Sequence, residues 1–96
     1  MSEPGSPEPT VRRDADAYVL ELGGERVGAA FIRVEGTTVT FTHTEVDDAH
    51  AGQGLASRLI RAALDDVRSR DETIVPRCPF VAAYVERHPG YADLLA

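Results

Sequence analysis

A single cysteine stands in the 96 residues, so no disulfide can close within the chain. The opening MSEPGSPEPTVRRD has no apolar core of the kind a secretion signal carries. These two absences make the cytoplasm the expected compartment. No uninterrupted apolar run approaches the ~20 residues that a membrane helix needs, which argues against a membrane partner, and no internal repeat is visible. Positive charge is also short: 10 Lys and Arg face 16 Asp and Glu, for a formal charge of -6. The arginines are scattered, whereas a surface that neutralises a phosphate backbone needs them clustered. Nucleic acid is therefore excluded as the main partner.

What is present suits one small domain, since 43% apolar content in 96 residues can fill a single core but not two. Residues 1–13 hold three of the six prolines, with Ser, Glu and Gly. That composition predicts a disordered tail ahead of a domain spanning 14–96. Tyr18, Leu20 and Leu22 alternate with Val19 and Glu21, Gly23 and Gly24 supply a turn, and 27–34 reads as a second, more evenly apolar strand. After a turn at 35–37, VTFTHTEV places Val39, Phe41, His43 and Glu45 on one face and Thr40, Thr42 and Thr44 on the other. The front half is an antiparallel meander.

Beyond the loop DDAHAG, Ala56, Leu59, Ile60, Ala63, Leu64 and Val67 form one stripe of an amphipathic helix, with Arg58, Arg61, Asp65 and Arg68 on its wet side. The short strand TIVP follows, and a helix between two strands of one sheet predicts a parallel crossover from 39–46 to 73–77. Pro76 has no N–H to give, so it belongs where strand pairing stops. Pro79 suits the first position of a last helix, capped by Cys78, in which Phe80 or Val81, Tyr84, Val85 and His88 share a side. The fold class is α+β, with an α/β-like second half.

The turn Gly52-Gln53-Gly54-Leu55-Ala56 leaves backbone N–H groups without intrahelical partners at the positive end of a helix dipole, which is a site for an anion. Glycines there let phosphate oxygens approach the main chain. No Gly-Lys-Ser/Thr follows, so the turn is not that of a nucleotide triphosphatase. Ser57 stands where a dinucleotide fingerprint wants Gly or Ala, and the chain is too short for two mononucleotide-binding halves. The alternative is a helix whose glycines serve only a tight start and close packing.

In order, the strand, loop, Gly-Gln-Gly-Leu-Ala turn, amphipathic helix and parallel strand resemble the core of the GNAT-type acyl-CoA N-acetyltransferases. HTEV at 43–46, GQGLAS at 52–57, IVPRCPFVAAYVERHP at 74–89 and Tyr91 are similar to a compact, single-domain form of that family, from about residue 16 to the end. The resemblance implies acetyl-CoA as co-substrate, its pyrophosphate on the glycine turn and its pantetheine arm between splayed strands 39–46 and 73–77. The implied contacts are Glu45, Val46, Gly52, Gln53, Gly54, Leu55, Ala56, Ser57 and Cys78. Ala51 departs from the pattern, which often has Arg or Gln there; backbone donors, with Arg58 or Gln53, would then carry the pyrophosphate. The chain is also shorter than full-length relatives, whose extra strands help to shape the acceptor site.

Acyl transfer to an amine needs a neutral amine, support for the oxyanion and a proton for the departing thiolate. Either His43 or Glu45, which share a strand face in this reading, is the expected base, directly or through water; the alternative for His43 is a hydrogen-bonded structural imidazole. The resemblance gives Tyr84 the role of protonating the thiolate, whereas helical spacing alone makes it a core aromatic. Cys78 at a helix N-terminus gains thiolate character from the dipole. It either lines the thioester pocket during direct transfer or accepts the acetyl group itself; an inert buried thiol is the third option. His50 and His88 are loop and surface residues, and with Cys78 they lack a zinc spacing, so no metal is expected. The expected function is acetyl-CoA-dependent N-acetylation of an amine on a small molecule or protein, by a monomer or weak homodimer. A non-catalytic acyl-CoA-binding module and an interaction domain using the sheet edge are the competing functions.

Overall fold

A computed structural model describes residues 8–50 and 54–96. Strand β2 (Ala17–Leu22) turns at Gly23 and Gly24, whose φ angles of 61° and 83° only glycine adopts without strain, and returns as β3 (Glu25–Glu35). A second tight turn, with Gly36 at φ 62°, leads to β4 (Thr38–Val46). Helix α1 (Leu55–Ser69) then crosses to β5 (Thr73–Pro76), which pairs parallel with β4 from Thr38↔Thr73 to Phe41↔Pro76. The predicted crossover is therefore present. Helix α2 (Pro79–Arg87) and a 3₁₀ segment (Pro89–Leu94) complete the chain.

One correction concerns the N-terminus. Residues expected in a disordered tail include Pro9–Arg13, which form an edge strand, β1, antiparallel to β2. Val11 packs against the core and Arg13 is anchored by side-chain bonds, which offsets the ordering cost that composition alone suggested. Residues 1–7 lie outside the described residues. The sheet order is β1-β2-β3-β4-β5.

Both helices lie on one side of this sheet. Leu59, Ile60, Ala63, Leu64 and Val67 of α1, with Val81 and Val85 of α2, join Tyr18, Leu20, Val39, Phe41 and Ile74 in one cluster. Full burial of each large aliphatic side chain contributes about 1.5–3 kcal/mol. The stripe on α1 begins at Leu55, which is buried, rather than at the partly exposed Ala56. On the opposite face Ala17, Val19 and Ala29 form a small second cluster with Phe31, and no helix among the described residues contributes to it.

The C-terminal end of α1 is fixed in two ways. Asp71 adopts the left-handed conformation (φ 57°), its N–H donates to Arg68 O, and Glu72 N–H reaches back to Val67 O. This is a Schellman cap, which satisfies the last carbonyls and turns the chain, so that Thr73 N–H reaches Thr37 O as β5 begins. A side-chain latch joins the same end to β1 and β2. Arg13 donates to both carboxylate oxygens of Glu72 at 2.6 and 3.2 Å and to the Tyr18 hydroxyl at 3.2 Å. Tyr18 in turn donates to Asp66 at 2.6 Å, and Arg70 donates to the same oxygen at 2.7 Å. Burial, then the bond to Asp66, pushes the Tyr18 phenol well above its ordinary value. Burial alone would raise Asp66; the hydrogen bonds from Tyr18 and Arg70 outweigh it and hold the carboxyl below its ordinary value.

A carboxyl depressed on folding stabilises the protein above its unfolded pKa of about 3.9 and loses that contribution as pH falls through the folded value. Asp66→Ala is expected to lower stability at pH 7 by about 1–2 kcal/mol, because it strips a charged acceptor from a buried hydroxyl. The difference from the parent protein should shrink as the buffer is taken from pH 5 to pH 3. Urea denaturation across that range measures both.

Candidate active site

Register, not composition, decides which way the candidate residues of β4 face. Phe31 of β3 pairs with His43, yet the next residue, Ile32, pairs with Phe41. Thr42 is therefore an extra residue on β4, a β-bulge, with its hydroxyl donating to Phe31 O at 3.4 Å. One inserted residue reverses the parity of all that follow. Val39 and Phe41 are fully buried on the helix side, whereas His43 turns to the outer face and stacks on Phe31 with centroids 6.1 Å apart. The expectation that Val39, Phe41, His43 and Glu45 share one face is corrected accordingly. Glu45 accompanies His43, its Oε2 lying 3.1 Å from His43 Nε2, and both side chains are more than 60% exposed. Thr44 and Val46, conversely, join the helix side.

Pairing of β4 with β5 ends at Phe41↔Pro76, as the missing N–H of Pro76 predicts. Cys78 N–H still donates to Phe41 O at 2.9 Å, after which the chain leaves β4 as α2. Cys78 occupies the N-cap position of α2, but its side chain makes no cap bond. It caps through its carbonyl, which accepts from Ala82 N–H, while Sγ lies 3.3 Å from Thr44 Oγ1. The thiol is 4% exposed, so it closes the root of the gap between the strands.

In front of that gap is a cleft of about 330 Å³ lined by Val46, His50, Gly54, Leu55, Ala56, Ser57 and Phe80. Gly54 is the N-cap of α1 with φ 71°; no side chain caps the helix and its first turn holds no acidic residue. The first amide N–H groups are thus left for an anion, at the positive end of a 15-residue helix. These features fit a diphosphate. Gly52 and Gln53, also expected here, lie outside the described residues. Of the other expected cofactor contacts, Val46 and Gly54–Ser57 line the cleft, Cys78 lies behind it, and the carboxylate of Glu45 is on the opposite face. Arg58, expected to assist, lines a separate groove between α1 and β1 with Arg61 and Asp65.

His50 and Phe80 are cleft residues that sequence reasoning did not assign. His50 Nδ1 is buried without a hydrogen-bond partner, and its place directly before the glycine turn was the available signal. Tyr84 lies on the buried side of α2 with Val81 and Val85. Its ring stacks on His88 at 4.0 Å and meets Tyr91 at 6.1 Å. Tyr91 donates to Asp65 of α1 at 2.7 Å, and Arg68 holds Asp93 and Gly90 O, so the last 3₁₀ segment clamps α2 to α1. No group of three or more metal-ligating side chains occurs among the described residues, and no described helix is long and apolar enough to cross a membrane.

A mixed sheet whose two parallel strands part beside an uncapped helix N-terminus sets a strand gap and an anion site side by side. A family model described as GCN5-related N-acetyl-transferase matches residues 17–94. Protein NATD1 of Bos taurus is 31% identical over 96 residues, covering 92% of this chain and 85% of the relative. Protein NATD1 of Gallus gallus is 41% identical over 74 residues, 75% of this chain and 67% of its own. Among solved structures, a GCN5-like putative N-acetyltransferase from Staphylococcus aureus superposes with a TM-score of 0.68 at 20% identity, over 91% of this chain and 87% of that one. The ribosomal-protein-S18-alanine N-acetyltransferase of Escherichia coli gives 0.59 at 19% identity, over 68% and 43%. The chain belongs to the GCN5-related N-acetyltransferase family.

Two glycines near the site differ in what they tolerate. A Cβ at Gly54 would meet nothing within 4 Å, so Gly54→Ala should cost only the left-handed backbone penalty of about 1–2 kcal/mol. A Cβ at Gly28 would lie 2.8 Å from Glu45 O and 3.1 Å from Val46 Cγ2; Gly28→Ala must push β3 from β4 and should destabilise more. Equilibrium unfolding of the two variants ranks them.

Proposed function

We propose that the protein transfers an acetyl group from acetyl-CoA to a primary amine, the two substrates meeting across the sheet at the end of β4. The observation that carries this reading is the bulge at Thr42. It turns His43 and Glu45 to the open face while Thr44, Val46 and Cys78 stay on the helix side. A base and a thioester pocket thus lie on opposite sides of one strand.

Acetyl-CoA supplies an activated acetyl thioester. The free N–H groups at Gly54–Ser57 hold its diphosphate, and the gap between β4 and β5 accepts its arm. The amine nitrogen forms the new C–N bond to the acetyl carbon as the C–S bond breaks. His43 takes the proton lost by nitrogen and Glu45 orients the imidazole. Tyr84 gives its phenolic proton to the leaving thiolate. Direct transfer is favoured over an acetyl-cysteine route because Cys78 is 4% exposed with its sulfur against Thr44, which suits a wall better than a nucleophile.

Calorimetric titration with acetyl-CoA tests the reading. Saturable binding should be lost or strongly weakened in Gly54→Val, where a β-branched side chain disfavours the left-handed backbone (φ 71°) that presents the N–H groups. His43→Ala should lower kcat about 10²–10⁴-fold with acetyl-CoA affinity unchanged. Binding without turnover on any amine would instead make the protein an acyl-CoA-binding module. The chain contains no lysine, so an acetyl adduct seen by intact mass spectrometry and abolished by Cys78→Ala would restore the covalent route.

A further inference from the structure

We infer that His50 is the side-chain donor for the cofactor's diphosphate, its Nε2–H taking the place of the longer side chain that Ala51 does not supply. This rests on the transferase reading above. Three observations carry it.

First, the cleft brings few groups to an anion. Of the residues that line it, Val46, Leu55, Ala56 and Phe80 have apolar side chains, Gly54 has none, and no lysine or arginine is among them. Only His50 and Ser57 carry side chains that hydrogen-bond. On a chain whose formal charge is -6, a diphosphate needs more than main-chain amides, and a ring N–H gives it a charge-assisted bond.

Second, one nitrogen of the ring is shut away. His50 Nδ1 is buried with no hydrogen-bond partner, the only such side-chain atom among the described residues, so the half-buried ring meets the cleft through its Nε2 edge. A neutral imidazole has one donor and one acceptor, and an orphaned buried N–H is rarer than an underused acceptor. The proton therefore sits on Nε2, which presents a donor to the cleft. A structural imidazole would have found a partner for its buried nitrogen.

Third, the backbone holds the ring in place. Asp48–His50 form a 3₁₀ turn, and His50 N–H donates to Asp47 O at 2.9 Å. His50 is thereby set one residue ahead of Ala51, at the entry to the glycine turn.

The test is an NMR titration of the isotope-labelled full chain with acetyl-CoA and with acetyl-pantetheine, which carries the same thioester and no phosphate. Long-range proton–nitrogen correlation is expected to show His50 protonated on Nε2, and that nitrogen should shift with acetyl-CoA but not with acetyl-pantetheine. His50→Leu should weaken acetyl-CoA binding about 10-fold or more and leave acetyl-pantetheine affinity unchanged. His50→Gln, whose amide N–H stands in for Nε2–H, should recover most of the loss. Without ligand, the thermal midpoint of His50→Leu should not fall, because the substitution removes an unpaired buried polar atom. A proton found on Nδ1, undiminished acetyl-CoA affinity in His50→Leu, or equal weakening of both ligands with a lowered midpoint overturns the inference. A parent protein that does not bind acetyl-CoA removes the transferase reading, and the inference with it.

Discussion

The extra residue in β4 is the constraint on which the site depends. Without Thr42 as a bulge, strict alternation would carry His43 and Glu45 inward behind Val39 and Phe41, and two polar side chains would enter an apolar core without partners. With it, the polar pair is solvated and Thr44 takes the inward place, where its hydroxyl meets Cys78 Sγ. The same insertion comes just past the last β4–β5 pair, Phe41↔Pro76. Change of face and loss of pairing therefore coincide within two residues, and a strand paired on both edges becomes one that offers main chain on one side and an exposed imidazole on the other.

Helix α1 meets a complementary requirement. Its N-cap is Gly54 with no side-chain cap, which costs roughly a few tenths of a kcal/mol against Ser or Asp, and its C-terminus is fastened instead. The Schellman cap at Asp71 and Glu72, and the latch of Arg13, Tyr18, Asp66, Arg70 and Glu72, fasten that end to β1, β2 and β5. Tyr91 and Arg68 add a second attachment through the 3₁₀ segment. The dipole is thereby aimed by contacts made well away from Gly54, so the anion-facing amides stay unpaired while the helix stays fixed. The stretch expected to be a loose tail belongs to this support, through Arg13.

How much of this could be read in the sequence follows from which interactions are local. Glycine turns, the stripe of α1, the proline that stops β5 and the helix that starts at Pro79 are written within a few residues, and their elements were legible. Gly54 as an uncapped, positive-φ start was legible for the same reason. The bulge was not: VTFTHTEV places Thr at every second position through Thr44, and the pairing with Phe31 and Ile32 shows that Thr42 is inserted. Glu45 was accordingly placed with the cofactor contacts, and its carboxylate is found opposite. Residues 9–13 were misread because their order depends on partners far along the chain, Glu72 being 59 positions from Arg13. Composition sees a proline-rich segment and no partner. The side chain of Cys78 was assigned to its own helix, whereas the nearest partner is on β4, again a contact across the sheet.

A chain this short buries a smaller share of its surface than a large domain does, and the distribution of its helices shows how that limit is met. The apolar residues are concentrated on one face, under α1 and α2, where they form one continuous core with the sheet. The other face receives small residues, Ala17 and Ala29, that tolerate having only strands and neighbouring side chains around them.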